Sequence, residues 1–295
     1  MGIARAMTKM LMREGTREKF SGNALSLGRQ DIFGTAADFQ NWAKEMNFQL
    51  KPGVKMLLSP HADASAKNHI DDQSLFLSLG IYNLESMDCN AEQKSTFVHD
   101  LNQDVPKELH GKYDLIYDGG TAEHVFNFPK VLENCHKMLR TGGRIIHAVP
   151  ANNLVDHGFY MFSPSLLWEY YSINHWKVLY SYLWECTRKY DTDLWNIYNY
   201  TPGCLDKFSF GGFNSSNIFC TFFVAQKTEQ STFTAFPQQK TYSGSWKYGD
   251  ITNPESIPTW KKKINPFFPQ WLKIILHPIY RRMPFSYHLK LIARY

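Results

Sequence analysis

One strand–helix–strand block constrains the fold of this chain more than any other feature. Residues 113–117 form an apolar and aromatic run typical of a buried strand, and Asp118-Gly119-Gly120 follows as a turn. Residues 128–139 carry apolar side chains at helical spacing, and Thr141-Gly142-Gly143 ends that pattern. A second apolar run follows at 144–149. This order predicts two parallel strands joined by a helical crossover.

The same alternation continues on both sides of this block. Comparable apolar runs predict strands at 24–28, 83–87, 96–99, 177–183 and 218–225. Apolar residues at helical spacing predict helices at 3–14, 35–46, 165–173, 271–276 and 288–293, whereas 184–214 shows no regular pattern. We therefore expect an α/β fold, with a doubly wound, mostly parallel sheet and helices on both faces.

Polar side chains are concentrated where the predicted strands end. Ligands of open α/β sheets bind beyond the carboxyl ends of the strands, so segments distant in the sequence are expected to meet there. Those segments are residues 28–31, Asp88, 100–102, 118–124 and 150–157. This edge is the expected ligand site.

Three motifs in the central block carry a family resemblance. Tyr113-Asp114-Leu115-Ile116, Glu123-His124-Val125 and Leu139-Arg140-Thr141-Gly142-Gly143 resemble the fourth-to-fifth-strand region of class I S-adenosylmethionine-dependent methyltransferases. The resemblance extends over roughly residues 22–226, and it implies a seven-stranded sheet whose last strand, at 218–225, is antiparallel. It also implies S-adenosyl-L-methionine as cofactor and methyl transfer as the reaction.

The resemblance also implies cofactor-binding positions. Gly28 stands where the family has a glycine-rich loop, Asp88 where an acid binds the ribose hydroxyls, and Asp100 where an acid lies near the adenine. The neighbouring candidates are Arg29, Gln30, Leu101, Asn102, Asp118 and Gly119. Each acid also has a simpler interpretation, as a cap or turn residue.

The loop after the first strand departs from the family pattern. The family has Gly-x-Gly-x-Gly, whereas this chain has Gly28-Arg29-Gln30-Asp31-Ile32. Either the loop takes another course, with Arg29 and Gln30 contacting polar groups of the cofactor, or the site has lost cofactor binding. The second alternative would make the chain a catalytically inactive, methyltransferase-like binding module.

Two histidines are candidates for the catalytic base. Transfer to a hydroxyl requires removal of its proton, and an imidazole suits that task. His157 is the first candidate and His124 the second, whereas His147 is expected to be a hydrogen-bonded core residue. The expected acceptor is a small molecule or a glycan, methylated at oxygen, and no metal site is expected. A nicotinamide-dependent oxidoreductase is a weaker alternative, because Gly-x-Gly-x-x-Gly is missing as well.

Composition separates the end of the chain from the rest. Residues 1–227 are the predicted methyltransferase-like domain, with an insertion at about 50–72 that is a candidate lid. Residues 228–295 are the predicted linker and C-terminal extension, and within it residues 260–295 carry eight Lys and Arg residues among aromatics. That extension is a candidate for peripheral membrane contact or for packing on the domain. No nucleic-acid partner is expected.

The cysteines and the N-terminus indicate the compartment. Five cysteines at wide spacing, without a Cys-x-x-Cys pair, argue against a structural zinc site and favour a reducing cytoplasm. Residues 1–20 contain no uninterrupted apolar core, so no signal peptide is expected. No stretch of about 20 apolar residues predicts a transmembrane helix. The expected location is therefore the cytoplasm, with contact at the inner membrane face as an alternative.

Overall fold

The computed structural model describes residues 2–205, 213, 215–238 and 289–295. The helices are α1 Arg5–Arg17, α2 Ala36–Glu45, α3 Ala62–Ala66, α4 Asp72–Leu79, α5 Phe128–Met138 and α6 Pro164–Ile173. The strands are β1 Gly2–Ile3, β2 Asn23–Leu27, β3 Asp31–Ile32, β4 Asn83–Asp88, β5 Phe97–Val98, β6 Tyr113–Asp118, β7 Leu139–Asn152, β8 Lys177–Cys186, β9 Asn196–Asn199, β10 Ile218–Gln226 and β11 Lys290–Arg294.

The main sheet confirms the predicted architecture. Seven of its strands lie in the order β5-β4-β2-β6-β7-β10-β8. The first five of these are parallel to one another, and β10 is antiparallel to both β7 and β8. The predicted antiparallel last strand is therefore present at 218–226, between two strands of the opposite direction.

The sheet is larger than the seven strands predicted. In the described part of the chain it has nine strands, because β9 pairs with β8 and β11 pairs with β9. Residues 184–214 were expected to be irregular, yet they contain β9. A helix was predicted at 288–293, whereas Lys290–Arg294 forms the strand β11. The reason is long-range main-chain pairing, since Trp195 and Tyr295 exchange N–H···O bonds of 2.7 and 3.0 Å.

Alternation along the central strands divides the core between two faces of the sheet. Ala24 of β2 and Leu115 of β6 pack with the apolar residues of α1, α2 and α4. Leu25 of β2 and Ile116 of β6 pack on the opposite side, with α5 and α6. Successive strand residues point to opposite faces, so two helical layers cover the sheet, as in a doubly wound fold.

Local chemistry explains where several elements begin. Thr35 and Asp38 form a reciprocal capping box at the start of α2. Asp71 accepts a hydrogen bond from the Ser74 N–H at the start of α4. The helix before β7 was predicted to end at residues 141–143, but α5 ends at Met138 and β7 begins at Leu139. Gly142 lies within β7 and donates its N–H to the Lys227 carbonyl.

The predicted insertion is attached to the loop after β2. Within 50–72, His61 Nδ1 lies 2.7 Å from Asp31 Oδ1, and Ser59 Oγ donates to the same oxygen. Asp72 binds Arg29. A lid function for this segment stays a prediction, as does the boundary at 227/228, and the expected helix at 271–276 lies outside the described residues. None of the described helices is both long and apolar enough to cross a membrane.

Candidate functional site

Gly28 lies where the carboxyl ends of β2, β4 and β6 meet. Its φ of +73° is in the left-handed region, and its N–H donates to the Met87 carbonyl at 2.7 Å. A Cβ at Gly28 would lie 2.8 Å from Thr121 Oγ1 and 3.7 Å from Asp88 Oδ2. The position therefore requires glycine, both for its backbone conformation and for the space. The structure thus brings the predicted residues Gly28 and Asp88 together.

The two residues after Gly28 are held in different ways. Arg29 Nη2 donates to Asp72 Oδ1 at 2.9 Å, so its guanidinium is paired with the chain's own carboxylate. Gln30 is buried, and its Nε2 donates to the Leu27 carbonyl. Its Oε1 has no hydrogen-bond partner among the described residues, and a Cβ at Gly119 would lie 2.7 Å from it. Gln30 and Gly119 are therefore neighbours at this edge of the sheet, whereas Arg29 turns to the insertion.

The acids at the ends of β4 and β5 lie in turns. Asp88 Oδ1 accepts the Asn90 N–H at 2.9 Å, while Oδ2 faces Gly28. Asp100 is exposed and accepts both the N–H and the side-chain amide of Asn102, an Asx turn. These bonds lower the pKa of Asp100. Leu101 is buried in the core on the α5 side. A cofactor role for Asp100, Leu101 and Asn102 stays a prediction.

The predicted cofactor ligand Asp118 faces the interior instead. It is fully buried, and Oδ1 accepts the N–H groups of Thr121 and Ala122. Its Oδ2 lies 2.7 Å from His147 Nδ1, and His147 Nε2 lies 2.7 Å from the Tyr171 hydroxyl. Because internal groups occupy both carboxylate oxygens, Asp118 holds the turn after β6. His147 is the hydrogen-bonded core histidine that was expected.

A second group of residues lies beside this turn: Glu123, His124 and His157, here called the Glu123 cluster. Residues 122–124 form a short 3-10 helix after β6, and His157 belongs to the loop after β7. His157 Nε2 lies 3.7 Å from Glu123 Oε1, His124 Nε2 lies 4.0 Å from it, and the two imidazole centroids are 5.0 Å apart. Both predicted catalytic histidines therefore meet at one carboxylate.

Burial dominates the electrostatics of the Glu123 cluster. The Glu123 side chain is fully buried, and no donor among the described residues reaches either of its carboxylate oxygens. Burial, followed by the nearby charge of Asp118, raises the pKa of Glu123 well above its usual range. Burial also lowers the pKa of both His124 and His157.

Close main-chain packing holds the His157 loop on Glu123. A Cβ at Gly158 would lie 2.9 Å from the Glu123 carbonyl oxygen, and the Tyr160 N–H donates to that oxygen at 3.2 Å. Next to the cluster, the rings of Phe126 and Phe159 meet edge to face at 5.9 Å, and both residues are largely exposed. An apolar surface therefore borders the two histidines.

Glu123 and Thr121 were not among the site residues predicted from the sequence. Glu123 stood inside the Glu-His-Val motif, which was the available signal. Thr121 donates from Oγ1 to the Leu27 carbonyl at 2.6 Å and so joins the ends of β2 and β6.

The strand order β5-β4-β2-β6-β7-β10-β8, in which β10 runs antiparallel to both of its neighbours, decides the fold class together with the positive-φ glycine after β2. The chain has the fold of the class I methyltransferases. Gly28, Asp88 and the Glu123 cluster lie at the carboxyl edge of the parallel strands, the edge at which open α/β sheets bind ligands.

Comparison with known proteins gives matches among solved structures. Among solved structures, a SAM-dependent methyltransferase from Archaeoglobus fulgidus matches at 14% identity and a TM-score of 0.39, covering 76% of this chain and 95% of the other. The 1,6-didemethyltoxoflavin-N1-methyltransferase of Burkholderia thailandensis matches at 12% identity and a TM-score of 0.36, covering 76% of this chain and 80% of the other. A methyltransferase-like protein from Bacillus halodurans matches at 12% identity and a TM-score of 0.37, covering 76% of this chain and 99% of the other. No protein-family model and no curated protein matches the sequence.

Proposed function

We propose that this chain is an S-adenosylmethionine-dependent methyltransferase that acts on a small molecule, with a hydroxyl oxygen, such as one on a glycan, as the acceptor. The observation that carries the proposal is the position of Gly28 at positive φ beside Asp88, at the carboxyl edge of a class I methyltransferase sheet. The Glu123 cluster lies at the same edge, at the end of the neighbouring strand.

The residues around Gly28 fit the cofactor. A glycine lets the backbone approach a ligand closely, and the carboxylate of Asp88 can accept hydrogen bonds from two vicinal ribose hydroxyls. Gln30 Oε1 is a buried acceptor without a partner among the described residues, so it is available to a donor on the ligand. When bound, S-adenosylmethionine supplies the methyl group as an electrophilic sulfonium carbon.

The Glu123 cluster is the proposed acceptor end of the site. The cluster would hold the acceptor hydroxyl and take up its proton, while bound S-adenosylmethionine would supply the methyl group. Phe126 and Phe159 offer aromatic faces beside the histidines, and such faces suit the apolar side of a sugar or another small ring. The chain's main task is to align the two reactants and exclude water.

The inactive binding module remains the second candidate. It is favoured by the single glycine in the loop and by the pairing of Arg29 with Asp72, which removes one predicted cofactor contact. Calorimetric titration of the full chain with S-adenosylhomocysteine separates the two, because a functional methyltransferase binds this product. Incubation with S-adenosylmethionine carrying a labelled methyl group and a panel of hydroxylated small molecules then tests transfer. Failure to bind S-adenosylhomocysteine would refute the proposed function.

The compartment is part of the same proposal. We place the enzyme in the cytoplasm on the basis of its cysteine usage, with contact at the inner membrane face through residues 260–295 as the alternative that would bring it to a lipid-linked acceptor. The charge and aromatic pattern of that segment supports this alternative.

A further inference from the structure

Three potential metal ligands converge in the Glu123 cluster. Each of Glu123, His124 and His157 offers one ligand atom, and the three atoms lie within 4.8 Å of one another. Two come from the short helix after β6, and the third comes from the loop after β7, more than 30 positions later in the chain. Two imidazoles and one carboxylate are a ligand set that first-row divalent cations use.

The carboxylate of Glu123 independently indicates a missing partner. Its side chain is fully buried, yet neither oxygen accepts a hydrogen bond from any described residue, and Oε1 faces both imidazoles. His157 Nε2 is likewise buried without a hydrogen-bond partner in the described chain. Burying a carboxylate without a partner is costly, and buried charges in proteins are normally paired or bound to a metal.

The two separations from Glu123 Oε1 are close to those around a small cation. Ligand atoms about 2.1 Å from a tetrahedrally coordinated ion lie about 3.4 Å apart. The observed distances from Glu123 Oε1, 3.7 Å to His157 Nε2 and 4.0 Å to His124 Nε2, exceed this by a few tenths of an ångström. Because His124 is half exposed and His157 is one-third exposed, small side-chain rotations can close that gap.

We propose that Glu123, His124 and His157 form a binding site for one divalent cation of the zinc, cobalt or iron class, with further coordination positions open toward the exposed side of the cluster. A metal site with three protein ligands and an open position is the arrangement of a catalytic rather than a structural centre. If the proposed methyl transfer is correct, an acceptor hydroxyl is the group that completes the coordination. That role rests on the proposed function, whereas binding of the cation does not.

Cobalt(II) is a suitable probe, because its visible absorption reports coordination directly. The full-length chain, free of any histidine tag and treated with a chelator, is titrated with CoCl2 alone, and the visible spectrum and the heat of binding are recorded. We expect one equivalent to bind, and Zn²⁺ to displace it. Glu123→Gln and His157→Ala should each weaken cobalt binding at least about tenfold, since even residues behind metal ligands change affinity by about 10–100-fold.

A matched control uses a histidine at the other end of β6. His110 is exposed and precedes that strand, so His110→Ala should leave cobalt binding unchanged. Glu123→Gln preserves the shape of the side chain, and circular dichroism of each variant confirms that it is folded. Cobalt binding that is weak in the unaltered chain, or that His110→Ala lowers as much as His157→Ala does, would overturn the metal site.

The outcomes separate the metal site from the proposed function. S-adenosylhomocysteine affinity is measured on the same samples with and without the chelator. Binding of the product without cobalt binding refutes the metal site and leaves the methyltransferase proposal standing. Cobalt binding without binding of the product refutes the methyltransferase proposal and leaves the metal site standing.

Discussion

Replacement of Gly28 by alanine isolates the geometry of the loop after β2. Alanine at φ +73° adopts a left-handed conformation, which costs about 1–2 kcal/mol for a residue with a Cβ. The new methyl group would also lie 2.8 Å from Thr121 Oγ1, closer than real Cβ contacts allow. Thr121 cannot simply rotate away, because its hydroxyl donates to the Leu27 carbonyl at 2.6 Å. Loss of that hydrogen bond would add about 0.5–1.5 kcal/mol.

The chain offers a control with the same backbone strain and no steric conflict. Gly53 has a φ of +77°, and a Cβ there would have nothing within 4 Å. We therefore expect Gly53→Ala to lower the free energy of unfolding by about 1–2 kcal/mol, and Gly28→Ala to lower it by about 1.5–3.5 kcal/mol. In the double variant Gly28→Ala/Thr121→Ala, the part of the stability loss that comes from the clash with Thr121 should be recovered. A double-mutant cycle then measures this recovery as a coupling energy between positions 28 and 121.

Urea denaturation gives the stabilities, and calorimetry with S-adenosylhomocysteine gives the affinities. Because a Cβ at Gly28 would reach toward Gln30 and Asp88, Gly28→Ala should weaken product binding, whereas Gly53→Ala should not. Equal stability of the two variants, with unchanged affinity in both, would refute the reasoning that places Gly28 in the cofactor site.

Four further outcomes are expected. Asp88→Asn keeps an acceptor for the Asn90 N–H but removes the charge, so the free energy of S-adenosylhomocysteine binding should weaken by roughly 1 kcal/mol. Glu108→Gln, at an exposed position before β6, serves as control. Equal affinities of the Asp88 and Glu108 variants would remove Asp88 from the site. His157→Ala should lower turnover more than cofactor affinity, whereas an equal loss of both would indicate a structural role. Burial, with the charges of Lys227 and Lys137, lowers the pKa of His136 to about 4, below its value of about 6.5 in an unfolded chain. Between pH 4 and 6.5 the unfolded state therefore binds more protons than the folded state. The contribution of His136 to stability is present above pH 6.5 and is lost as the pH falls toward 4. In urea denaturation, the free energy of unfolding of His136→Asn should therefore decrease less with acidification than that of the unaltered chain. Co-sedimentation with phosphatidylserine vesicles at low salt should decrease when serine replaces Lys261, Lys262 and Lys263. If the unaltered chain stays in the supernatant with these vesicles, the membrane contact is refuted.

The sequence by itself determined the architecture of the central sheet. Apolar runs that alternate with helical spacing predicted β2, β4, β6, β7 and β10, because side-chain periodicity is a local property of the chain. It also located Gly28 and Asp88 at strand ends, and parallel strands bring such ends to one edge. These predictions needed no knowledge of which distant residues pack together.

Tertiary structure alone decided what the polar residues at that edge contact. Asp118 read as a cofactor ligand, but it turns inward because His147 and two backbone N–H groups satisfy its carboxylate. The residues of β11 read as a helix, but pairing with β9 satisfies their main-chain groups. Glu123 and His157 come together where Gly158 lets the loop after β7 lie directly against Glu123. Such contacts depend on long-range hydrogen bonding and packing, which local sequence patterns do not encode.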